Sequence, residues 1–483
     1  MTLKEKTTSG LIWSFIDNGA ALGINFITGI ILARLLSPKE FGLIGMITIF
    51  IAISNAFINS GFSQALIRKQ NCTQIDYSTI FYFNIIVGIS FYFILFGLAS
   101  PISQFYHEPV LRDLIRVLGL GLIISSLTVI QSAILTKRID FKLQAKISVT
   151  SSLVSGIISI YLAYTGWGVW SLVAQTLLNN AMNSLLLWVW NKWIPIWGFS
   201  KQSFHELFSF GSKLLVSGLI DTLFNNIYYL VIGKYFSATE LGYYTRANGF
   251  QSLPSSNLSS VIGRVSYPVL SSIQNDNVQL KSAYRKLIRS TMLITFVLML
   301  GLAAVAKPMI VTLIGAKWLP SVILLQMLCF VGMLYPLHAM NLNMLNVKGR
   351  SDLFLRLEII KKAIVIPTII IGVFFGIKIM IAGLFVSSVF SYYLNSYYSG
   401  KMIDYSMFHQ IKDIFPSFLI AAMMASVVYA ESLWLSLPTL MILVIQIITG
   451  AVLVIGICEA IRFDDYLYIK ALISDMIRKK LPK

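Results

Sequence analysis

Apolar residues occur along this chain in long continuous blocks rather than in alternation with polar residues. The stretch 147–191 has no charged residue in 45 positions, and 77–107, 318–347 and 432–458 are also free of charge. A helix rises about 1.5 Å per residue, so 147–191 is long enough to cross a bilayer about twice. Continuous apolar runs favour helices over a barrel, because lipid cannot satisfy the backbone. The pattern predicts an all-α polytopic membrane protein.

Charged residues, glycines and prolines divide the apolar blocks into about fourteen predicted transmembrane helices. These helices lie near 9–33, 41–63, 78–100, 113–135, 147–165, 168–190, 214–233, 246–269, 289–306, 320–346, 361–376, 379–399, 414–430 and 438–458. The loops between them are short, so there is no room for a soluble catalytic domain. The first block has no small-residue cleavage site, and we interpret it as a retained helix.

Composition and charge distribution agree with this prediction and give the orientation. The 483 residues are 57% hydrophobic and 12% charged, and so few charges cannot cover a soluble globule of this length. With the N-terminus inside, the inner segments hold 28 of the 38 lysines and arginines, and the outer loops hold 9. This bias predicts a multi-pass protein of the cell inner membrane with both termini cytoplasmic. The bases form no stripe or tail, so the net charge of +18 does not predict nucleic-acid binding.

The sequence contains no pattern typical of a cofactor site. Cys72, Cys329 and Cys458 lack paired spacing, and the four histidines are scattered. The glycine-rich phosphate loop of ATPases is not found. We therefore expect no disulfide framework, no metal, no cofactor and no ATPase activity in this chain.

A repeat with an offset of 200 residues divides the chain into two halves. Its identical pairs after the first and seventh predicted helices are Ser37 and Ser237, Glu40 and Glu240, and Gly42 and Gly242. The segments 99–101 and 166–168 recur as 306–308 and 376–378, at a nearly constant offset. Both halves have six helices and begin inside, so they are parallel repeats around a central cavity, as in secondary transporters. We predict lobes at 1–200 and 201–400, further transmembrane helices at 401–460, and a cytoplasmic amphipathic tail at 461–483.

Two carboxylates lie inside predicted transmembrane helices. Asp17 and Asp221 are both close to the inner ends of their helices, the first and the seventh. An ionised carboxylate in lipid is costly, so each must face a cavity, a partner or a proton. They are candidates for H⁺ or Na⁺ coupling or for cavity lining, with a structural hydrogen bond between helices as the alternative. Asn25 and Asn225 on the same helices are candidates for hydrogen bonds to sugar, or for bonds between helices.

Five basic residues are candidates for binding an anionic cargo. Arg34, Lys234 and Arg246 lie near the outer helix ends, and Arg68 and Arg264 lie near the inner ends at similar positions of the two repeats. A guanidinium binds phosphate through two parallel hydrogen bonds and stays charged. Snorkelling anchors are the alternative, and Arg34 and Lys234 fit an anchor or gate role better than Arg264 does.

The eighth predicted helix contains the segment 253–260, in which a proline is followed by four serines. Proline removes a backbone hydrogen bond. The segment therefore predicts a break of this helix at mid-membrane.

Several segments together resemble the polysaccharide transporter family. They are Ala33-Arg-Leu-Leu-Ser-Pro-Lys-Glu-Phe-Gly42, Ala65-Leu-Ile-Arg68, Leu135-Thr-Lys-Arg-Ile-Asp-Phe-Lys142, Gly166-Trp-Gly-Val-Trp170, Ile232-Gly-Lys234, Leu241-Gly-Tyr-Tyr244 and Tyr267-Pro-Val-Leu270. That family contains O-antigen, capsule and exopolysaccharide repeat-unit flippases, and it belongs to the superfamily of the MATE drug exporters. The resemblance covers roughly residues 1–400, in register with the repeat.

The resemblance implies a two-lobed fold around a cationic cavity. Its implied cargo is an undecaprenyl-diphosphate-linked oligosaccharide, moved from the cytoplasmic to the outer leaflet with an H⁺ or Na⁺ gradient. Membrane lipid, polysaccharide polymerase and glycosyltransferases are the implied partners. One alternative is a MATE-type drug or cation exporter, whose cavity should be acidic. The other alternative is a membrane-embedded polymerase, ligase or acyltransferase, which the short outer loops disfavour.

Overall fold

The computed structural model describes the backbone of residues 3–59 and 61–480, with side chains described from residue 19 to 474 except 60, 210, 257, 260–265, 351 and 473. Within these ranges the chain is almost entirely helical, and no β-strand is present. The predicted all-α fold class is confirmed. The chain forms two compact units, unit 1 at Met1–Gly242 and unit 2 at Tyr243–Lys483. The lobe boundary predicted at residue 200 stays a prediction.

In the part of unit 1 that the structure describes, nine helices lie entirely within the unit. They are α1 Leu3–Leu35, α2 Pro38–Asn59, α3 Phe62–Arg68, α4 Gln74–Tyr106, α5 Leu111–Ser126, α6 Val129–Arg138, α7 Phe141–Tyr164, α8 Val169–Asn191 and α9 Lys201–Tyr235. Helix α1 packs against α7, α7 against α8, α4 against α5, and α2 against α9.

The helix α10, Ala238–Ser272, begins in the last residues of unit 1 and continues into unit 2. The other elements of unit 2 are α11 Asn277–Ala304, α12 Ala306–Ile314, a 3-10 turn Ala316–Trp318, α13 Ser321–Gly332, α14 Tyr335–Val347, α15 Ser351–Phe375, α16 Ile377–Ile403, α17 Met407–Trp434, α18 Thr439–Ala460 and α19 Asp464–Lys480. Helix α11 packs against α17, α15 against α16, and the tail helix α19 against α11.

A helix lies in each of the fourteen segments that the apolar blocks predict. In the described part of the chain, ten segments are long and apolar enough to cross a membrane: Pro38–Arg68, Gln74–Tyr106, Leu111–Arg138, Phe141–Tyr164, Gly211–Tyr235, Asn277–Ala304, Ser321–Val347, Ile377–Ile403, Met407–Trp434 and Thr439–Ala460. A polytopic helical membrane protein is therefore confirmed, and the count of fourteen spans stays a prediction.

Short polar side chains fix where several helices begin. The Asp140 carboxylate accepts a hydrogen bond from the backbone N–H of Leu143 at 3.1 Å, at the start of α7. Ser200 Oγ accepts one from Ser203 at 3.2 Å, at the start of α9. Such caps satisfy N–H groups that have no partner inside the helix, and each contributes about 1 kcal/mol. The helices therefore start at polar residues of the loops, outside the apolar blocks.

The predicted break in the eighth transmembrane helix is wrong. Helix α10 is continuous from Ala238 to Ser272 and contains Pro254. Directly after the proline, Ser255 Oγ donates to the carbonyl of Gln251 at 3.1 Å, and Ser256 Oγ donates to that of Ser252 at 2.5 Å. Both hydroxyls hydrogen-bond to carbonyls of the turn that precedes the proline, and the helix continues through it.

The repeated glycines Gly42 and Gly242 form a reciprocal contact inside unit 1. A Cβ at Gly42 would overlap the carbonyl of Ala238 and lie 2.5 Å from its carbon, and a Cβ at Gly242 would overlap the carbonyl of Pro38 and lie 2.7 Å from its carbon. Position 38 corresponds to position 238 in the repeat, so each helix start presents equivalent positions to the other. Only glycine permits this approach of two backbones. The contact has the self-complementary form of a two-fold interface.

The second repeated feature is a glycine turn between two long helices. Gly166 and Gly168, between α7 and α8, have φ of 88° and 55°, and Gly376, between α15 and α16, has φ of 102°. These angles lie in a region that side chains other than glycine rarely adopt. The repeat found in the sequence therefore corresponds to a glycine with positive φ at the same step of each half.

Candidate functional site

A polar stripe runs along α9 inside a membrane-crossing segment. Lys213, Ser217, Asp221 and Asn225 follow one another at intervals of four residues, and all four are exposed within Gly211–Tyr235. Side chains four residues apart lie on one face of a helix. Lipid does not accommodate an exposed carboxylate and amide, so this face is suited to a water-filled cavity. We call these four residues the α9 polar stripe.

The equivalent positions on α1 are described only in part. Asn25, which corresponds to Asn225 in the repeat, is also exposed. The side chain of Asp17 lies outside the described residues, as does that of Arg264 on α10. Two matched asparagines on repeated helices therefore both face outwards from unit 1.

Arg68 is the last residue of α3 and is exposed. Lys137 of α6 secures this end of α3: its ammonium donates to the Leu66 carbonyl at 3.1 Å and to the Lys69 carbonyl, and it lies 3.0 Å from Cys72 Sγ. A cation at a helix C-terminus satisfies carbonyls that have no partner in the helix. The guanidinium of Arg68 is therefore presented from a fixed helix end.

Lys69, next to Arg68, is engaged by two acids. Its ammonium lies 3.2 Å from Asp76 of α4 and 3.0 Å from Glu206 of α9. Partial burial disfavours the charged ammonium, but the hydrogen bonds that it donates to Glu206 and Asp76 outweigh burial and raise the pKa of Lys69. Lys69 thus joins the end of α3 to α4 and α9. The sequence analysis missed Lys69 and Lys137, although each lies in a pair of adjacent bases, Arg68-Lys69 and Lys137-Arg138, that could have drawn attention to it.

The basic residues predicted near the outer ends have different surroundings. Lys234 donates to the Phe105 carbonyl of α4 at 2.5 Å, and its ammonium lies 4.4 Å from the centre of the Phe105 ring. This geometry fits the anchor role predicted for it. Arg34 is exposed in the last turn of α1, and Arg246 is half-buried on α10.

A polar cluster in unit 2 was not identified from the sequence. His338 of α14 lies within the membrane-crossing segment Ser321–Val347 and contacts Ser388 and Asn395 of α16. One turn further on, Asn341 contacts Ser399 Oγ at 2.5 Å and the side chain of Gln410 of α17 at 3.2 Å. In the sequence analysis the histidines were considered as metal ligands. The signal that could have identified His338 is that it is a titratable residue inside the charge-free stretch 318–347.

Two sequence relatives cover most of the chain. The lipopolysaccharide biosynthesis protein WzxC of Escherichia coli (strain K12) is 27% identical over 375 residues, which are 77% of this chain and 76% of the relative. The teichuronic acid biosynthesis protein TuaB of Bacillus subtilis (strain 168) is 26% identical over 456 residues, 93% of this chain and 94% of the relative. The first match covers about three quarters of each chain and the second nearly all of each, so the likeness is not confined to one segment.

Among solved structures, the lipid II flippase MurJ in an inward closed conformation is similar to this chain, with a TM-score of 0.76 and 16% identity. The match covers 95% of this chain and 100% of that one. At this identity the likeness shows the fold.

The model of a family described as polysaccharide biosynthesis protein matches residues 31–323, more than half of the chain. The resemblance found in the sequence motifs is confirmed by this match. The chain therefore belongs to the polysaccharide biosynthesis protein family and is a multi-pass helical membrane protein.

Proposed function

We propose that this protein is a flippase that moves undecaprenyl-diphosphate-linked oligosaccharide repeat units from the cytoplasmic leaflet of the inner membrane to the outer leaflet, for surface polysaccharide synthesis. The proposal is based on the family of the chain taken together with its fold. The family is that of polysaccharide biosynthesis, and the fold over 95% of the chain is that of a solved lipid flippase. A chain made of membrane helices is suited to transport rather than to a catalytic step.

The charged residues support an anionic cargo. A diphosphate carries its charge on oxygens that arginine and lysine bind well. Arg68 and Arg264 would receive the diphosphate on the inner side, and Arg34, Lys234 and Arg246 would take part on the outer side. Arg68 suits this role because it is exposed at the end of α3.

The polar residues on α1 and α9 would serve the sugar and the coupling ion. Asn25 and Asn225 are exposed amides that can hydrogen-bond to hydroxyl groups. Asp17 and Asp221 would line the cavity or take the coupling H⁺ or Na⁺. The exposure of the α9 polar stripe in a membrane-crossing segment favours a hydrated cavity for this cargo.

Alternating access needs helix ends that meet in one state and separate in another. The reciprocal contact of Gly42 with Ala238 and of Gly242 with Pro38 is suited to this, because close backbone contact between small residues separates without leaving a buried charge.

Depletion of the protein in cells tests the proposal. We expect lipid-linked repeat units to accumulate on the cytoplasmic face, where added periplasmic glycosidase cannot reach them. Complementation by Arg68→Ala should restore less than a tenth of the surface polysaccharide, because the loss of a charge-assisted phosphate contact costs about 1.5–3 kcal/mol. Lys201→Ala, which removes an exposed lysine from the first turn of α9, is the control and should complement fully. Depletion without accumulation of lipid-linked units contradicts the flippase function.

A further inference from the structure

Arg116 lies inside a membrane-crossing part of unit 1. It is on the second turn of α5, within the segment Leu111–Arg138, which is long and apolar enough to cross a membrane. A guanidinium keeps its charge in proteins, so Arg116 cannot enter the bilayer by releasing a proton. A charge at this place requires an anion or hydrogen-bond acceptors close to it.

The described part of the protein supplies neither of these to Arg116. Its Nε is buried and has no hydrogen-bond partner there, and the guanidinium forms no ion pair with a described residue. The contact that it does make is aromatic, with Cζ 4.4 Å from the centre of the Phe96 ring of α4. A ring attracts a cation but has no oxygen that could accept hydrogen bonds from the five N–H groups of a guanidinium. The acceptor for Arg116 must therefore come from outside the described chain.

The surface around Arg116 is exposed and apolar. Phe96 is 40% exposed, and Phe93, one turn before it on α4, is 65% exposed. Leu120, one turn after Arg116 on the same face of α5, is 41% exposed. Exposed aromatic and aliphatic side chains on membrane-crossing helices are suited to contact with lipid chains, which are equally apolar. This face of α4 and α5 therefore borders lipid rather than a hydrated cavity.

Arg116 lies within reach of the lipid headgroups. It comes five residues after Leu111, the first residue of α5, which is a distance of about 7.5 Å along the helix axis. Helix side chains lean towards the N-terminus, so the guanidinium lies closer to this end than its Cα does. Long basic side chains near the ends of membrane helices extend to the headgroup region in this way. The strongest acceptor that every phospholipid offers in this region is its phosphate.

The other charges at this end of α4 and α5 are paired with each other. Arg112, one turn before Arg116 on the same face, is exposed, and its Nε lies 3.3 Å from a carboxylate oxygen of the adjacent Asp113. In the loop between the two helices, Glu108 forms an ion pair with Lys39 of α2 at 2.9 Å. The charge of Arg116 is therefore left to be balanced by an anion, and an anionic headgroup is the one that the membrane supplies.

We propose that Arg116 binds the phosphate of one anionic phospholipid, which lies on the lipid-facing surface of α4 and α5. The phosphate accepts two parallel hydrogen bonds from the guanidinium, and the exposed Arg112 adds a second positive charge beside it. Phe93 and Leu120 contact the acyl chains. Such side chains suit acyl chains rather than sugar hydroxyls, so the lipid is one of the bilayer and not the oligosaccharide-bearing cargo. The site does not depend on the proposed flippase function.

The first experiment measures lipid binding to the purified full-length protein by native mass spectrometry. The delipidated protein is titrated with phosphatidylglycerol and, separately, with diacylglycerol that has the same acyl chains and no phosphate. Arg116→Gln should bind the first phosphatidylglycerol about 10- to 100-fold more weakly than wild type and should bind diacylglycerol equally. Lys378→Gln, which removes an exposed lysine at the start of α16, controls for net charge and should behave like wild type. Equal affinity of wild type and Arg116→Gln for phosphatidylglycerol overturns the proposal.

The second experiment needs no variant and locates the lipid. Cryo-electron microscopy of the wild type in nanodiscs that contain phosphatidylglycerol should show a two-chain lipid on α4 and α5, with its phosphate within about 3 Å of the Arg116 guanidinium. A protein oxygen or water alone in that place contradicts the proposal. Displacement of this lipid by an equal concentration of undecaprenyl-diphosphate disaccharide also contradicts it, because the site would then belong to the cargo.

Discussion

The reciprocal glycine contact makes a sharp prediction for Gly42→Ala. The new Cβ would lie 2.5 Å from the carbonyl carbon of Ala238, whereas two carbon atoms in favourable contact are about 3.5–4.0 Å apart. The helix starts must therefore move apart by about 1 Å, since the opposing atom is backbone and cannot turn aside. Overpacking of this kind costs about 1–3 kcal/mol. In an open helix position, by contrast, the same substitution gains about 1 kcal/mol.

Thermal unfolding of the purified protein in detergent, followed by tryptophan fluorescence, measures this difference. Gly249→Ala is the matched control because it lies in α10, a helix of the same contact, and a Cβ there meets nothing within 4 Å. We expect Gly42→Ala and Gly242→Ala to lower the midpoint by a few degrees at about 2–4 °C per kcal/mol, and Gly249→Ala to leave it equal or higher. Equal midpoints in all three variants would refute the close approach of α2 and α10.

Further predictions concern the ion pairs of α11. Arg285 donates to both oxygens of Asp413 at 2.5 Å, so Arg285→Ala should lower the free energy of unfolding by about 1–2 kcal/mol, and the swapped pair Arg285→Asp with Asp413→Arg should recover part of it in urea titrations. Burial raises the pKa of Asp465 despite its pairing with Arg289. The protonated carboxyl group therefore stabilises the fold below the unfolded pKa of about 3.9, and this stabilisation is lost as pH rises through the folded pKa. Asp465→Asn should therefore be as stable as wild type or more stable at pH 7, with this advantage gone near pH 4, and a constant difference across pH would refute the assignment.

The apolar blocks predicted the positions of the helices well because a bilayer requires continuous apolar segments. They did not predict the divisions inside those segments, such as the one between α2 and α3. There Gly61 has φ of 67°, and a Cβ on it would lie 2.8 Å from the Gly211 carbonyl of α9. That division depends on a contact between residues 150 positions apart, and a hydropathy pattern carries no information about such contacts. The break predicted at Pro254 was wrong, because a long membrane helix can continue through a proline.

The candidate site was predictable to different degrees at different residues. An offset of 200 identified Gly42 and Gly242, and the structure adds the reason for their identity, which is the reciprocal backbone contact. The sequence shows that Asp221 is a charged residue in an apolar segment, but only the packing of the helices shows that its side chain is exposed. The contacts of His338 were not predictable, because its partners come from another helix and no spacing in the chain relates them.

The most direct test of the central claim is a flipping measurement with the purified full-length protein. It is reconstituted into vesicles with an undecaprenyl-diphosphate disaccharide that carries a fluorophore on its sugar, and a membrane-impermeant reagent quenches the outer leaflet. The account predicts that quenching reaches nearly all of the lipid with wild type, and clearly less within the same time with Arg68→Ala. Quenching that stops at the outer half, as in protein-free vesicles, contradicts it.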